Sequence, residues 1–171
     1  MHNAVVKPDP HFHFYRNMAH SYFYSAKALW EKFGEDESIP GSIRLTINPT
    51  PQQKICDSLL LLPHPFHYLV AQSLELYMKG YLCCKGMETS ELKKIRHNLS
   101  KLMRKCEEKE FWFNEDEKKY VVEVINTLND KGHILRYPSV GTFSMVNFHG
   151  ASILLKRFDR FLLDHMCVQE F

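Results

Sequence analysis

Basic side chains are concentrated in one short stretch of the chain, between residues 93 and 105. Its members are Lys93, Lys94, Arg96, His97, Lys101, Arg104 and Lys105. Ammonium and guanidinium groups at this density bind phosphate oxygens. Contacts with the phosphates contribute affinity for nucleic acid that does not depend on the base sequence. The stretch is equally compatible with an ordinary solvated helix face, because Glu107, Glu108 and Glu110 follow it. The sequence therefore leaves two interpretations open, a phosphate-contacting surface and a solvated face.

A second candidate feature is the segment Arg136-Tyr137-Pro138, which sets a guanidinium and a ring beside a proline. Proline fixes its own φ and biases the residue before it toward an extended shape, so we expect this turn to be held rigidly before the last helix. If an end of the third helix lies beside it, His97 and Arg136 converge on one anionic ligand. The alternative is that Tyr137 packs into the core and Arg136 caps helix carbonyls. The predicted ligand-binding residues are His97, Arg136, Tyr137, Arg96 and Lys101.

Metal, cofactor and nucleophile chemistry find little support in the sequence. The closest histidine pairs, His64 with His67 and His11 with His13, have no cysteine or carboxylate at useful spacing, and a closed zinc site needs about four ligands. No glutamate has a histidine three residues later, as diiron bundles require. Glycine-rich phosphate loops and G-x-S-x-G are missing from the sequence. We therefore expect no metal and no cofactor.

Composition indicates a reduced, cytoplasmic protein without a membrane span. Of the 171 residues, 44% are hydrophobic and 25% are charged, and the net charge of +2 is too small to identify a nucleic-acid binder by itself. The five cysteines are odd in number and form no CxxC, which favours free thiols. No apolar run approaches ~18 residues, and residues 1–10 have no signal-peptide core.

The elements that must position these residues are amphipathic helices. Apolar residues at alternating steps of three and four predict helices over about 11–33, 65–84, 90–106, 115–128 and 144–166. In the second helix, Ser73 and Gly80 are small enough for a neighbour to approach closely, and Glu75 with Lys79 suggests a solvated ion pair. Short links after residue 84 favour an all-α, up-and-down bundle of four or five helices in a single domain.

Three stretches are less regular. Residues 1–10 are expected to be flexible, and residues 34–63 are punctuated by prolines and form a connection with turns. Within that connection, residues 43–47 alternate in polarity and predict a short extended piece. Thr50-Pro51 predicts the start of a short helix that reaches Leu61. Ser90 and Asn114 are the expected N-caps of the third and fourth helices, and Asn114 forms a capping-box pattern with Glu117.

Three motifs in this order resemble the HEPN domain family. In the second helix, residues 71–82 have the pattern A-x-x-x-E-x-x-x-K-x-x-L. Residues 97–102 contain the His, small polar residue and Leu that open the third helix in the family. Residues 136–138 form the third motif, an Arg-Tyr-Pro turn. Order and spacing agree over residues 15–161, with 34–63 as an insertion. The resemblance implies a HEPN-like helical bundle that binds RNA or a nucleotide, in a toxin–antitoxin, defence or stress setting. It also implies a homodimer and an antitoxin or nucleotidyltransferase-type partner.

The family's ribonuclease signature is Arg, four to six residues, then His, near the start of the last helix. Arg136 has no histidine at that distance, and the one formal match is Arg160 with His165. At ~100° per residue these two side chains point about 140° apart on a helix, so they are weak catalytic candidates. The resemblance thus favours binding without the standard cleavage activity. The alternatives are a metal-independent endoribonuclease with an atypical Arg/His pair, and a helical interaction module without a ligand.

Overall fold

The computed structural model describes residues 11–33, 45–47, 63–130, 141–143 and 148–167. These residues form α1 His11–Phe33, β1 Leu45–Ile47, α2 Pro63–Cys84, α3 Thr89–Ile95, α4 Leu99–Glu108, α5 Glu115–Asp130, β2 Gly141–Phe143 and α6 Phe148–Cys167. The prediction of an all-α fold is therefore confirmed, with two three-residue strands as the only other regular structure in the described ranges. The first helix has the predicted bounds, and the last is described from Phe148 instead of residue 144.

The second helix is the centre of the fold. It packs against α1, α4, α5 and α6, and most of its side chains lie in the core. Leu74, Tyr77, Met78, Tyr81 and Leu82 have no exposed surface. A helix that is packed on several sides has little surface in contact with water. This explains why the sequence of α2 is apolar around most of its circumference.

Small residues on α2 set its distance from α1. The Ser73 hydroxyl donates to the carbonyl of Ala19 over 2.7 Å, and a Cβ at Gly80 would lie 3.4 Å from the Cβ of Tyr15. The same Cβ would lie 3.2 Å from Cδ1 of Leu162 on α6, so three helices meet at this glycine. The predicted close approach at Ser73 and Gly80 is confirmed. Because Ser73 meets Ala19 and Gly80 meets the region of Tyr15, the two helices are antiparallel.

The two strands connect distant parts of the chain. They pair antiparallel, with Leu45 opposite Phe143, Thr46 opposite Thr142 and Ile47 opposite Gly141. The extended piece predicted over residues 43–47 is confirmed for 45–47. Its partner at 141–143 was not predicted, because three residues are too few to show a periodic pattern. The predicted flexible N-terminus, the short helix over 50–61 and the Arg136-Tyr137-Pro138 turn lie outside the described residues.

The predicted single third helix is wrong, because it is divided into α3 and α4. Arg96 has φ 58° and ψ −124°, which ends α3, and Asn98 is extended and caps α4 by accepting from the N–H of Lys101 over 2.8 Å. The apolar stripe hides this break, since Ile95 and Leu99 on either side of it are both buried. Ser90 is not the N-cap either: Glu88 precedes α3, and the Ser90 hydroxyl donates to the Glu88 carboxylate.

Helix α5 begins as predicted. The N–H of Glu117 donates to Oδ1 of Asn114 over 2.8 Å, and the N–H of Asn114 donates to a carboxylate oxygen of Glu117 over 3.1 Å. This is the reciprocal arrangement of a capping box. It fixes the start of the helix directly after the loop that follows α4.

Candidate functional site

A buried carboxylate lies at the centre of the candidate site. The side chain of Glu75, in the middle of α2, is 5% exposed. Its Oε1 accepts from Nζ of Lys79 over 2.7 Å, and its Oε2 lies 2.9 Å from Nδ1 of His97. The prediction of a solvated Glu75–Lys79 pair is therefore wrong. The sequence shows the i,i+4 spacing but not that the helix face carrying it is covered by the turn between α3 and α4.

His97 is the residue that brings the α3–α4 turn onto α2. Its Nδ1 lies within hydrogen-bond distance of both Glu75 oxygens, so this nitrogen carries the hydrogen and the carboxylate accepts. The side chain is nevertheless 55% exposed, and no described residue is hydrogen-bonded to its Nε2. The turn thus holds an imidazole with one nitrogen on a buried carboxylate and the ring partly in solvent.

The cations beside His97 are the second component of the site. Lys93 and Lys94 lie in the last turn of α3, Arg96 ends that helix, and Lys101 lies in the first turn of α4. All four are exposed, and none forms an ion pair with a residue in the described ranges. We call Lys93, Lys94, Arg96, His97 and Lys101 the corner cluster.

The remaining basic residues of the stretch differ from the corner cluster. Arg104 and Lys105 both lie beside Glu108, with the Arg104 distance at 4.0 Å. The pKa of the Glu108 carboxyl is lowered, chiefly by its hydrogen bond from Lys105. The predicted basic run is therefore divided into two parts. At the corner, Lys93, Lys94, Arg96 and Lys101 have no ion-pair partner among the described residues, whereas in α4 Arg104 and Lys105 share the carboxylate of Glu108.

Of the predicted ligand-binding residues, the structure brings together His97, Arg96 and Lys101 within one turn and its flanks. Arg136 and Tyr137 lie outside the described residues, so their convergence with His97 stays a prediction. The contact between His97 and Glu75 was missed by the sequence analysis. The one available signal was that both residues belong to the motifs of the HEPN resemblance.

The described part of the structure does not show the weak catalytic candidates, Arg160 and His165, in contact with each other. Arg160 is exposed on α6, and the side chain of His165 lies outside the described residues. Arg160 lies along a groove of about 940 Å³ between the start of α5 and α6. Three cations and three carboxylates line that groove together with one amide. These polar residues are Asn114, Glu117, Lys156, Arg157, Asp159, Arg160 and Asp164. The groove is of mixed charge and gives no concentrated anion site.

Arg157 in this groove is engaged with protein groups. Its guanidinium contacts the Glu117 carboxylate and lies 4.9 Å from the ring centre of Phe113. The pKa of Glu117 is lowered, first by the hydrogen bond from the backbone of Asn114 and then by Arg157. These contacts fix the side of the bundle where α5 begins.

A partly buried polar cluster joins α1, α2 and α6. The hydroxyl of Tyr77, which has no exposed surface, donates to Oδ1 of Asp159 over 3.0 Å, and Nε of Arg16 donates to the same oxygen over 2.8 Å. Burial raises the pKa of Tyr77 well above its usual value, and the Asp159 charge raises it further. Because Asp159 accepts from both Tyr77 and Arg16, this cluster links three helices.

Several aromatic residues pack in the core, and Trp112 has the most exposed ring among the described side chains. Phe111 stacks on Phe158 with ring centres 4.1 Å apart, and the Tyr81 hydroxyl donates to the carbonyl of Lys109 over 2.6 Å. These contacts hold the loop after α4 so that Trp112 points outward and is 76% exposed. Trp112 is thus the ring to test as an alternative stacking surface for a base.

Other chemistries find no support in the described ranges. There, no three histidine, cysteine or carboxylate side chains are grouped so that they could hold a metal ion. Cys83, Cys84 and Cys106 are buried thiols that form no disulfide, and burial raises the pKa of Cys84 and Cys106. None of the described helices has both the length and the hydropathy that crossing a membrane requires.

No family model, no curated protein and no solved structure matches this chain.

Proposed function

We propose that this protein is a HEPN-like domain that binds RNA or a nucleotide at the corner cluster and lacks the standard ribonuclease pair. The observation that carries the proposal is the set of four exposed cations, Lys93, Lys94, Arg96 and Lys101, which have no ion-pair partner among the described residues. Cations without a protein partner attract phosphate groups and release counterions on binding. By the same resemblance, we propose a toxin–antitoxin, defence or stress setting, with an antitoxin or nucleotidyltransferase-type partner.

The buried pair under the corner supports a binding role. The Glu75 carboxylate is paired with Lys79 at 2.7 Å, so it does not cancel the charge of the exposed cations at the corner. With Nδ1 on Glu75, the ring offers Nε2 to a ligand, as a donor when the imidazole is protonated. Imidazole and guanidinium together suit a phosphate oxygen or a base edge.

The direct test is retention of a labelled single-stranded RNA, followed by fluorescence polarisation at several salt concentrations. For single strands, log K falls with log salt by about 0.7 for each phosphate contact. The double variant Lys94→Ala with Lys101→Ala is expected to lower the slope by about 1.4 and to weaken binding at low salt. ATP tested as a competitor separates binding of a mononucleotide from binding of a strand.

The matched control removes two cations elsewhere, through Lys118→Ala with Lys156→Ala, and leaves the corner cluster intact. This variant is expected to keep the wild-type slope. If it loses the slope instead, or if Trp112→Ala abolishes binding, the RNA surface lies at the α5–α6 side and the corner proposal is wrong.

Absence of RNA and nucleotide binding favours the interaction module. Cleavage of RNA without metal, lost in Arg160→Ala, favours the ribonuclease.

A further inference from the structure

The imidazole of His97 is held in one tautomer by the core of the bundle. Its Nδ1 lies 3.0 Å from Oε1 and 2.9 Å from Oε2 of Glu75, and the carboxylate accepts the hydrogen on Nδ1. A hydrogen bond at one ring nitrogen fixes which nitrogen keeps its lone pair. In the neutral ring the lone pair is therefore on Nε2, which forms no hydrogen bond with a described residue, on a side chain that is more than half exposed.

The carboxylate that orients His97 is itself held in place. The Glu75 side chain is buried, and Nζ of Lys79 donates to its Oε1 over 2.7 Å. Lys79, Glu75 and His97 thus form a chain of three groups that ends at Nε2. A carboxylate on one ring nitrogen orients the ring and raises the basicity of the other nitrogen, and a third group that orients the carboxylate is typical of an activated nucleophile.

The surroundings of Nε2 suit an electrophile that carries negative charge. The other four members of the corner cluster are exposed cations on either side of His97, and none has an ion-pair partner among the described residues. A phosphoryl group carries up to about two negative charges and three strongly accepting oxygens, which ammonium and guanidinium groups neutralise. The charge of Glu75 does not oppose its approach, because Lys79 is paired with it.

We propose that His97 is a phosphoryl-accepting residue that is modified on Nε2 by a donor of the phosphoramidate class. The Nε2 lone pair attacks phosphorus, the phosphorus–nitrogen bond of the donor breaks, and its electron pair leaves with the nitrogen. Because that nitrogen is already protonated in the donor, it departs as a neutral amine. The hydrogen on Nδ1 stays in the hydrogen bond to Glu75, whose charge compensates the positive charge that the ring acquires.

The first test measures the rate of modification along the full chain. The protein is incubated with phosphoramidate at about pH 8, where histidine side chains are usually neutral, and peptide mapping in alkaline solution locates the phosphoryl groups. His97 should react at least about tenfold faster than His20, the effect of one charge-assisted contact with the phosphoryl oxygens. His20 is the internal control, because its partly exposed ring packs on Tyr24 and has no carboxylate partner among the described residues.

Substitutions separate the nucleophile from the cations around it. His97→Gln should lose the fast reaction, whereas His20→Gln should keep it, and both proteins should retain the helical circular dichroism spectrum. The double variant Lys94→Ala with Lys101→Ala should keep the same site of modification but react about tenfold more slowly, since it removes contacts with the phosphoryl oxygens.

The second test identifies the ring nitrogen that carries phosphorus, by nuclear magnetic resonance of the modified peptide. Because Nδ1 of His97 is held on Glu75, the wild type should give the Nε2 isomer. Glu75→Gln tests the positioning role, since an amide can donate as well as accept and no longer fixes the tautomer, so both isomers should form.

Three results would overturn the proposal: His97 reacting no faster than His20, a wild-type product on Nδ1, or a double variant that reacts at the wild-type rate. An unchanged isomer in Glu75→Gln would remove Glu75 from the positioning role. Neither test measures RNA retention, so the inference does not depend on RNA binding at the corner cluster.

Discussion

Nδ1 of His97 lies 2.9 Å from Oε2 of Glu75, although the two residues are 22 positions apart. The carboxylate is buried in the central helix and the imidazole is half exposed at the turn between α3 and α4. The pair therefore connects the core of the bundle to the corner cluster. Substitutions can distinguish two roles in this pair, because we expect Glu75 to act chiefly on stability and His97 chiefly on binding at the surface.

We expect Glu75→Gln to lower the free energy of unfolding by about 3 kcal/mol. This is the lower end of the range for breaking a buried ion pair, because the Lys79 ammonium that remains keeps some access to water. Urea denaturation measures the change. Glu91→Gln, at an exposed position in α3, is the control and should change stability by less than about 0.5 kcal/mol.

We expect His97→Ala to weaken RNA or nucleotide retention by about 1–3 kcal/mol while the helical circular dichroism spectrum is kept. Arg136→Ala should act in the same direction if its side chain meets the same ligand. Arg160→Ala and His165→Gln should leave binding unchanged. Unchanged binding in His97→Ala would remove this residue from the site.

Asn98→Ala should destabilise the protein by about 1 kcal/mol. The substitution removes the side-chain oxygen that accepts from the N–H of Lys101 at the start of α4. Asn98→Asp keeps an acceptor and should be near wild type in thermal denaturation. An Asn98→Ala protein of full stability would mean that burial of Ile95 and Leu99 alone fixes the break between the helices.

Gly80→Leu should destabilise the bundle by about 2–3 kcal/mol through overpacking. Even a Cβ at this position would lie 3.2 Å from Leu162 and 3.4 Å from Tyr15, so a larger side chain must separate three helices. Chemical denaturation of Gly80→Leu and Gly80→Ala should give a much smaller cost for alanine, since only the flexible end of Leu162 has to move. Equal stability of both variants would contradict the close approach.

Tyr77→Phe should cost about 1–2 kcal/mol at neutral pH, because it removes a hydrogen bond to the Asp159 carboxylate. The folded pKa of Tyr77 is raised by burial and by Asp159, so the stability it contributes is complete below the unfolded pKa of about 10. Above that pH, wild-type stability falls by about 1.4 kcal/mol per pH unit for this tyrosine. Denaturation between pH 9 and 11.5 should show the advantage over Tyr77→Phe shrinking as pH rises, and a constant advantage would contradict this sign.

Much of the fold follows from local patterns. The steps of three and four predict the helices, and the apolar circumference of α2 predicts its central place, because each depends on which residues share a helix face. The small residues Ser73 and Gly80 indicate where a neighbouring helix approaches, and Asn114 with Glu117 indicates where α5 begins. Each of these signals lies within one helix or within one turn of its end.

The break between α3 and α4 shows where a local pattern is insufficient. An apolar stripe is satisfied when its side chains face the core, and Ile95 and Leu99 do so on either side of Arg96 without a continuous helix. Asn98 carried the signal for the break, since its short polar side chain caps a helix better than it fits inside one. Periodicity outweighed that signal in the prediction.

The sequence by itself determined the helical elements apart from the break between α3 and α4, the stripe that each one buries and the concentration of cations between residues 93 and 105. Only the tertiary structure decided which charges are neutralised: Glu75 is covered by His97 and Lys79, Arg16 and Tyr77 share Asp159, and the cations of the corner cluster have no partner among the described residues. The physical reason is the distance along the chain over which each kind of interaction acts. Helix periodicity and capping act over about four residues, whereas burial and pairing of a charge depend on how separate helices pack.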